Sequence, residues 1–202
     1  MAKIINELSN DWFELLRNHQ DDDALRLYCE EIVPLLLPSL KARFLNENGY
    51  DSSAYDGLIS LLGFTPDTVV LTCRFIQPKA LVVLHTPETA GLLEIVSKYA
   101  DIPRSSFFHE LFFEEPYTDI FRALELARKR LNGKKIAIEL TGGKKTMGSA
   151  LAMAAGVLDI DVLYIDYQVY IPEFRKPKPE STFFRVMKNP AKYFANLRQD
   201  QC

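Results

Sequence analysis

The chain has 202 residues, 48% of them hydrophobic and 25% charged, with a formal net charge of -3. That length suits one α/β domain of ordinary size plus an appendage, and the apolar fraction is enough to build a core. The mild acidity excludes a protein that coats duplex nucleic acid, which needs a broad basic face, so any anion site must be local. Cys29, Cys73 and Cys202 are widely spaced, form no Cys-x-x-Cys pair and do not cluster with His19, His85 or His109. No metal site or cofactor is therefore expected, and a reducing, cytoplasmic setting is the economical inference. Apolar runs fall far short of the roughly 20 residues a membrane span requires, and the polar, acidic N-terminus does not read as a signal peptide.

Residues 1–55 read as a helical extension. Ser9, Asn10 and Asp11 suit the start of a helix carrying Trp12, Phe13, Leu15 and Leu16, and Asp21, Asp22 and Asp23 the start of one carrying Leu25, Tyr28 and Ile32. Pro34 and Pro38 are expected to bend or restart the path before residues 40–45. Three consecutive aspartates on a helix point in different directions and cannot converge on a metal; a solvated first turn favoured by the helix dipole explains them. The segment either packs on the main domain or across a subunit interface, or serves as a small effector or docking module; with no catalytic constellation in it, packing is the expectation.

From residue 56 the pattern alternates between strands and helices, the signature of a parallel sheet with crossover helices. Strands are expected over 58–64, 80–85, 106–113, 136–140 and 162–165, with an edge strand over 183–187, and helices over 65–76, 87–99, 116–131 and from 144 onward. The fold class is α/β: a Rossmann-like, doubly wound, mainly parallel sheet spanning 56–202. In such sheets ligands sit beyond the carboxyl ends of the strands, which points to residues 63–67, 85–88 and 141–145. Asp166 and Tyr167 share that end and either touch ligand or cap the edge. His85 and His109 stand singly in apolar strands and read as core or surface histidines. The proline-rich run 172–179, with Arg175, Lys176, Lys178 and Phe174, reads as an exposed loop, either a connector or a flap over an anionic ligand.

The strongest local signal is Thr141-Gly142-Gly143-Lys144-Lys145-Thr146-Met147, directly after a buried strand and at the start of a helix of small and apolar residues. A helix start offers free backbone N–H groups and the positive end of a dipole, which hold anions. Adjacent glycines let backbone approach a ligand closely. The spacing is neither a Walker P-loop nor Gly-x-Gly-x-x-Gly, and a tight connection with solvated lysines is the alternative explanation.

This stretch resembles the Thr-Gly-Gly-Thr-Lys-x-Met signature of CRISPR-associated Rossmann fold (CARF) proteins, over roughly residues 58–190. Lys144 stands where the family usually has threonine, and Glu139 where many members have aspartate. The resemblance implies a sensor of cyclic oligoadenylates in type III CRISPR immunity, with cyclic tetra-adenylate the expected ring, bound across a homodimer. A homodimer also suits the surplus apolar surface read into the N-terminal helices. The implied ligand-binding set is Gly63, Phe64, Thr65, Thr141, Gly142, Gly143, Lys144, Lys145 and Met147. Phe64 would stack on adenine, and the Thr65 hydroxyl would meet ribose or phosphate. The alternative within the family is a metal-independent ring nuclease, in which a ribose 2′-oxygen attacks the adjacent phosphate. There Lys145 would stabilise the phosphorane, and Thr65 or Thr141 would orient the attacking hydroxyl. A separate or fused effector domain is the implied partner of a sensor. A metabolic dinucleotide-binding domain is disfavoured by the missing glycine fingerprint and by the lack of an acidic residue placed for a ribose.

Overall fold

The computed structural model describes residues 2–115, 118–131 and 135–187. Among the described residues the strands are β1 (Gly57–Leu61), β2 (Ala80–His85), β3 (Phe107–Leu111), β4 (Ile136–Glu139), β5 (Asp161–Tyr167), β6 (Tyr170–Ile171), β7 (Lys176–Pro177) and β8 (Thr182–Met187). Six of them form one sheet in the order β3-β2-β1-β4-β5-β8, and β6 pairs with β7 in a separate hairpin. β1 to β5 run parallel, and β8 joins β5 antiparallel as the expected edge strand. Every residue of β1 and β2 is buried, as continuous apolar runs in a parallel sheet covered on both faces should be.

Successive β1 side chains serve opposite faces. Leu58 belongs to one apolar cluster and Ile59 and Leu61 to the other. The second cluster is filled from α6 (Asp119–Arg130) and α7 (Lys145–Leu158), the first from α4 (Asp67–Ile76) and α5 (Leu93–Tyr99). The expected boundaries move slightly. β1 stops at Leu61 although the Leu62 amide still bonds Leu84 O at 2.9 Å, and the 87–99 stretch divides into a 3-10 turn over Pro87–Leu92 followed by α5. The expected helix start at Pro116 and residues 188–202, which include Cys202, lie outside the described residues.

The N-terminal helices are α1 (Ala2–Arg17), α2 (Asp21–Leu27) and α3 (Val33–Asn48). α2 and α3 are joined by a π-helical turn over Tyr28–Ile32. Pro34 and Pro38 do not restart the path: Pro34 lies in the first turn of α3 and Pro38 inside it. A proline ring crowds the carbonyl four residues back, and for Pro34 that carbonyl is Glu30's, in the widened turn where it is accommodated. The apolar residues of these helices enter the first cluster beside Leu58 and Leu81. Phe75 stacks on Phe184 at 3.9 Å between ring centroids and meets Phe44 edge-on at 5.3 Å, tying α3 to α4 and β8. Most of the apolar surface of the extension is thus buried on the sheet, with Ile4 and Leu45 left exposed. A further exposed apolar face lies on α7, where Met153 is 70% and Val157 87% exposed. Among the described residues no helix is long and apolar enough to cross a membrane.

Candidate ligand-binding site at the sheet switch point

Strand order reverses between β1 and β4, which lie side by side in parallel register with Ser60 opposite Glu139. Their exits therefore diverge into a crevice at the carboxyl end of the sheet, the place a doubly wound fold offers to ligands. The two exit loops touch backbone to backbone. A Cβ on Gly63 would collide with the Gly143 amide nitrogen, and one on Gly142 with the carbonyl oxygen of Leu61. Gly143 sits at φ 79°, and a side chain there would come within 2.6 Å of Leu61 Cδ2. All three glycines thus have a packing reason independent of any ligand.

Glu139 braces the second loop from below. Its carboxylate is fully buried, accepting from Ser60 Oγ and from the Thr141 amide, each at 2.5 Å. Burial raises its pKa, and the bonds from Ser60 and Thr141 oppose that rise. Thr141 in turn accepts the Ile165 amide on Oγ1 at 2.8 Å, which leaves its hydroxyl hydrogen to donate elsewhere. α7 follows with no side-chain cap at Lys144 and no acidic residue in its first turn, so its amide end is open to an anion.

The crevice is a cleft of about 610 Å³ lined by Gly63, Phe64, Thr65, Thr141, Gly142, Gly143, Lys144 and Met147 of the expected set. Phe64 is 74% exposed on its wall. Lys145 starts α7 and is exposed, but it stands outside the cleft lining. Two further walls come from the neighbouring strand exits. Thr86, Pro87, Glu88 and Thr89 follow β2, and Phe113, Glu114 and Glu115 follow β3. The first wall belongs to the sheet-end segment 85–88 picked out by the strand pattern. The second was missed, although a third parallel strand must also deliver its exit to the same sheet end.

These walls make the cleft electrostatically mixed. Lys144 Nζ donates to Glu114 Oε2 at 2.6 Å across it, and Glu88 and Glu115 are further carboxylates on the rim. The Glu88 pKa is lowered, first by a bond from Thr86. The Glu114 segment is anchored by Asp119, which accepts the Phe113 amide at 2.8 Å.

Elsewhere the expected core or surface histidines are found, His85 buried and His109 exposed, while the 172–179 run departs from expectation. His85 and His109 are not solitary: adjacent parallel strands bring His85 Nε2 within 3.1 Å of His109 Nδ1, while His85 Nδ1 lies 3.1 Å from Thr86 O. The run 172–179 is no free flap. It contains β7, and Phe174 stacks on Phe13 of α1 at 5.2 Å. Lys176 pairs with Asp67 at 2.9 Å and Lys178 with Glu180 at 2.6 Å. Asp166 is engaged by Arg185 of the neighbouring β8, which lowers its pKa.

No protein-family model matches the chain. It is 26% identical over 144 residues to the CRISPR system endoribonuclease Csm6 of Thermus thermophilus, spanning 69% of this chain and 30% of that protein. Among solved structures, Enterococcus italicus Csm6 bound to cyclic hexa-2′-fluoro-hexa-dAMP superposes with a TM-score of 0.50 at 14% identity, covering 72% of this chain and 44% of that one. The chain shares the Rossmann-like fold of that protein. Can2 from Sulfobacillus thermosulfidooxidans in complex with cyclic tetra-adenylate matches with a TM-score of 0.48 at 15% identity, over 57% of this chain and 32% of that one. The chain therefore spans less than half the length of each of these proteins.

Proposed function

We propose that the chain is a CARF-type sensor that binds a cyclic oligoadenylate, with cyclic tetra-adenylate the expected ring, across a homodimer in type III CRISPR signalling. The observation that carries the reading is the cleft at the switch point. It combines an uncapped helix start, Lys144, the Thr65 and Thr141 hydroxyls and the exposed ring of Phe64. Those groups answer phosphate, ribose and base in turn. The relatives support the same chemistry, since Enterococcus italicus Csm6, whose fold the chain shares, is bound to a cyclic hexanucleotide analogue.

A homodimer is supported by α7. Between Lys145 and Asp159 it carries no charged residue, yet Met153 and Val157 are exposed. A second copy packed there would set two Thr-Gly-Gly loops around a two-fold axis and let Lys145 of each copy reach a shared ring from the rim. We keep residues 1–55 as a helical extension of the Rossmann unit 56–202, a cytoplasmic setting, and a separate or fused effector as the element switched.

The ring nuclease reading gains from one observation: Glu88, Glu114 and Glu115 line the cleft with Thr65 and Thr141 and supply carboxylates able to take a proton from a ribose hydroxyl. Incubation with a panel of cyclic oligoadenylates, followed by mass measurement of bound and released species, separates the readings. Intact bound ring supports the sensor, linear products support the nuclease, and neither species refutes both.

A further inference from the structure

A second cavity, of about 230 Å³, lies on the other side of Thr65 and Thr141, which line both it and the cleft. It is bounded by the N-terminal extension through Trp12 and Tyr28, by β5 through Tyr164 and Tyr167, and by the hairpin through Lys176. It is smaller than the cavities that hold whole drug-sized ligands, and suits a single planar ring. Trp12 and Tyr28 are almost wholly buried, their rings 5.3 Å apart.

Asp67, at the start of α4, lines this cavity. Lys176 occupies its Oδ2 at 2.9 Å, but Oδ1 is buried and has no hydrogen-bond partner. A buried carboxylate oxygen without a donor is costly, so a ligand that brings a single N–H to it is favoured. With one oxygen already taken, the site suits a lone exocyclic amine better than the paired donors of guanine. Arg175, at the hairpin turn, lines the same cavity in the left-handed region at φ 51° and forms no salt bridge among the described residues. It offers a cation for an attached phosphate.

We propose that this cavity is an adenine pocket built by the chain's own N-terminal extension: the ring lies among Trp12, Tyr28 and Tyr164, and its N6 amine donates to Asp67. The inference rests on the cyclic oligoadenylate reading for the source of the adenine, with the sugar–phosphate passing between Thr65 and Thr141 into the cleft. It makes the extension part of the ligand site and so gives it a role in signalling.

Trp12 is the single tryptophan of the chain, so its fluorescence reports on the pocket directly. Titration with 5′-AMP and with purine riboside 5′-monophosphate, which has hydrogen in place of the amine and no ring N–H, is expected to perturb Trp12 at roughly tenfold lower concentration for AMP. Asp67→Asn should erase that preference, because with Lys176 on the remaining oxygen an amide NH2 replaces the acceptor that met the amine; the comparison on the unaltered protein stands even if the variant folds poorly. Cyclic tetra-adenylate and the larger and smaller rings are titrated in parallel by calorimetry and by Trp12 fluorescence. Equal response to AMP and the purine analogue, or a silent Trp12 while calorimetry shows cyclic tetra-adenylate binding, overturns the pocket and leaves the sensor reading standing. An AMP-selective Trp12 signal with no binding of any cyclic ring supports the pocket and refutes the sensor reading. Silence toward AMP and ring alike overturns the pocket.

Discussion

The loop after β4 and the hairpin after β5 both place lysines at the carboxyl end of the sheet, and the structure gives them opposite duties. Lys144 is paired with Glu114, but the two side chains are 60% and 40% exposed. Lys176 is paired with Asp67, with side chains only 21% and 14% exposed. An exposed pair holds its partner by a fraction of a kcal/mol and yields to a competing anion, whereas a mostly buried pair leaves an uncompensated charge when broken. Counting cations in a sequence therefore does not count cations available to a ligand; burial and partner decide.

The sharpest break in that comparison comes from the glycines that build the first loop. Gly142→Ala would drive a methyl group onto the Leu61 carbonyl, and a loss of about 3 kcal/mol in urea denaturation is expected. A variant as stable as the parent would show that the two exit loops are not locked together. Next, Lys176→Met should cost about 2 kcal/mol by stranding Asp67, somewhat less than a fully buried pair because both side chains keep some water contact. Lys144→Ala, by contrast, should change stability by no more than about 0.5 kcal/mol while weakening cyclic tetra-adenylate binding by about tenfold in calorimetry at physiological salt. If Lys176→Met and Lys144→Ala had the same profile in the two assays, the contrast between the regions would be void.

The smallest effect concerns pH. Burial, the largest cause, and then neighbouring His109 lower the His85 pKa from its ordinary value of 6.5, with the Thr86 bond and Glu110 acting the other way. Because the folded value is the lower one, the unfolded chain takes up the proton first as pH falls. Stability is thus fully present above pH 6.5 and declines as pH drops from 6.5 toward the folded value. Denaturation midpoints measured above and below pH 6.5 should show this decline in the parent and a flatter profile in His85→Gln.

Much of the architecture was legible because parallel strands are written as short apolar runs. Ala80–His85 was read to the residue, and the turn chemistry of Gly142 and Gly143 located the crevice. What escaped the sequence depended on which distant segments meet. Glu114 reaches Lys144 only because β3 lies two strands from β1 in the sheet. His85 and His109 are 24 residues apart and meet through strand pairing. The hairpin's lysines looked free because Asp67 and Glu180 become partners only in the folded chain. The glycines were singled out for close approach to a ligand, yet their spacing could not reveal that the Leu61 backbone and side chain already demand them.

The central claim is that the switch-point cleft holds a cyclic oligoadenylate, and calorimetric titration with cyclic tetra-adenylate, paired with its linear counterpart, tests it most directly. The account predicts saturable binding of the ring at one per two chains, much weaker binding of the linear form, and loss of affinity in Lys144→Ala at unchanged melting temperature. Absence of binding by cyclic tetra-adenylate and by larger and smaller rings, in a sample shown to be folded, would contradict it.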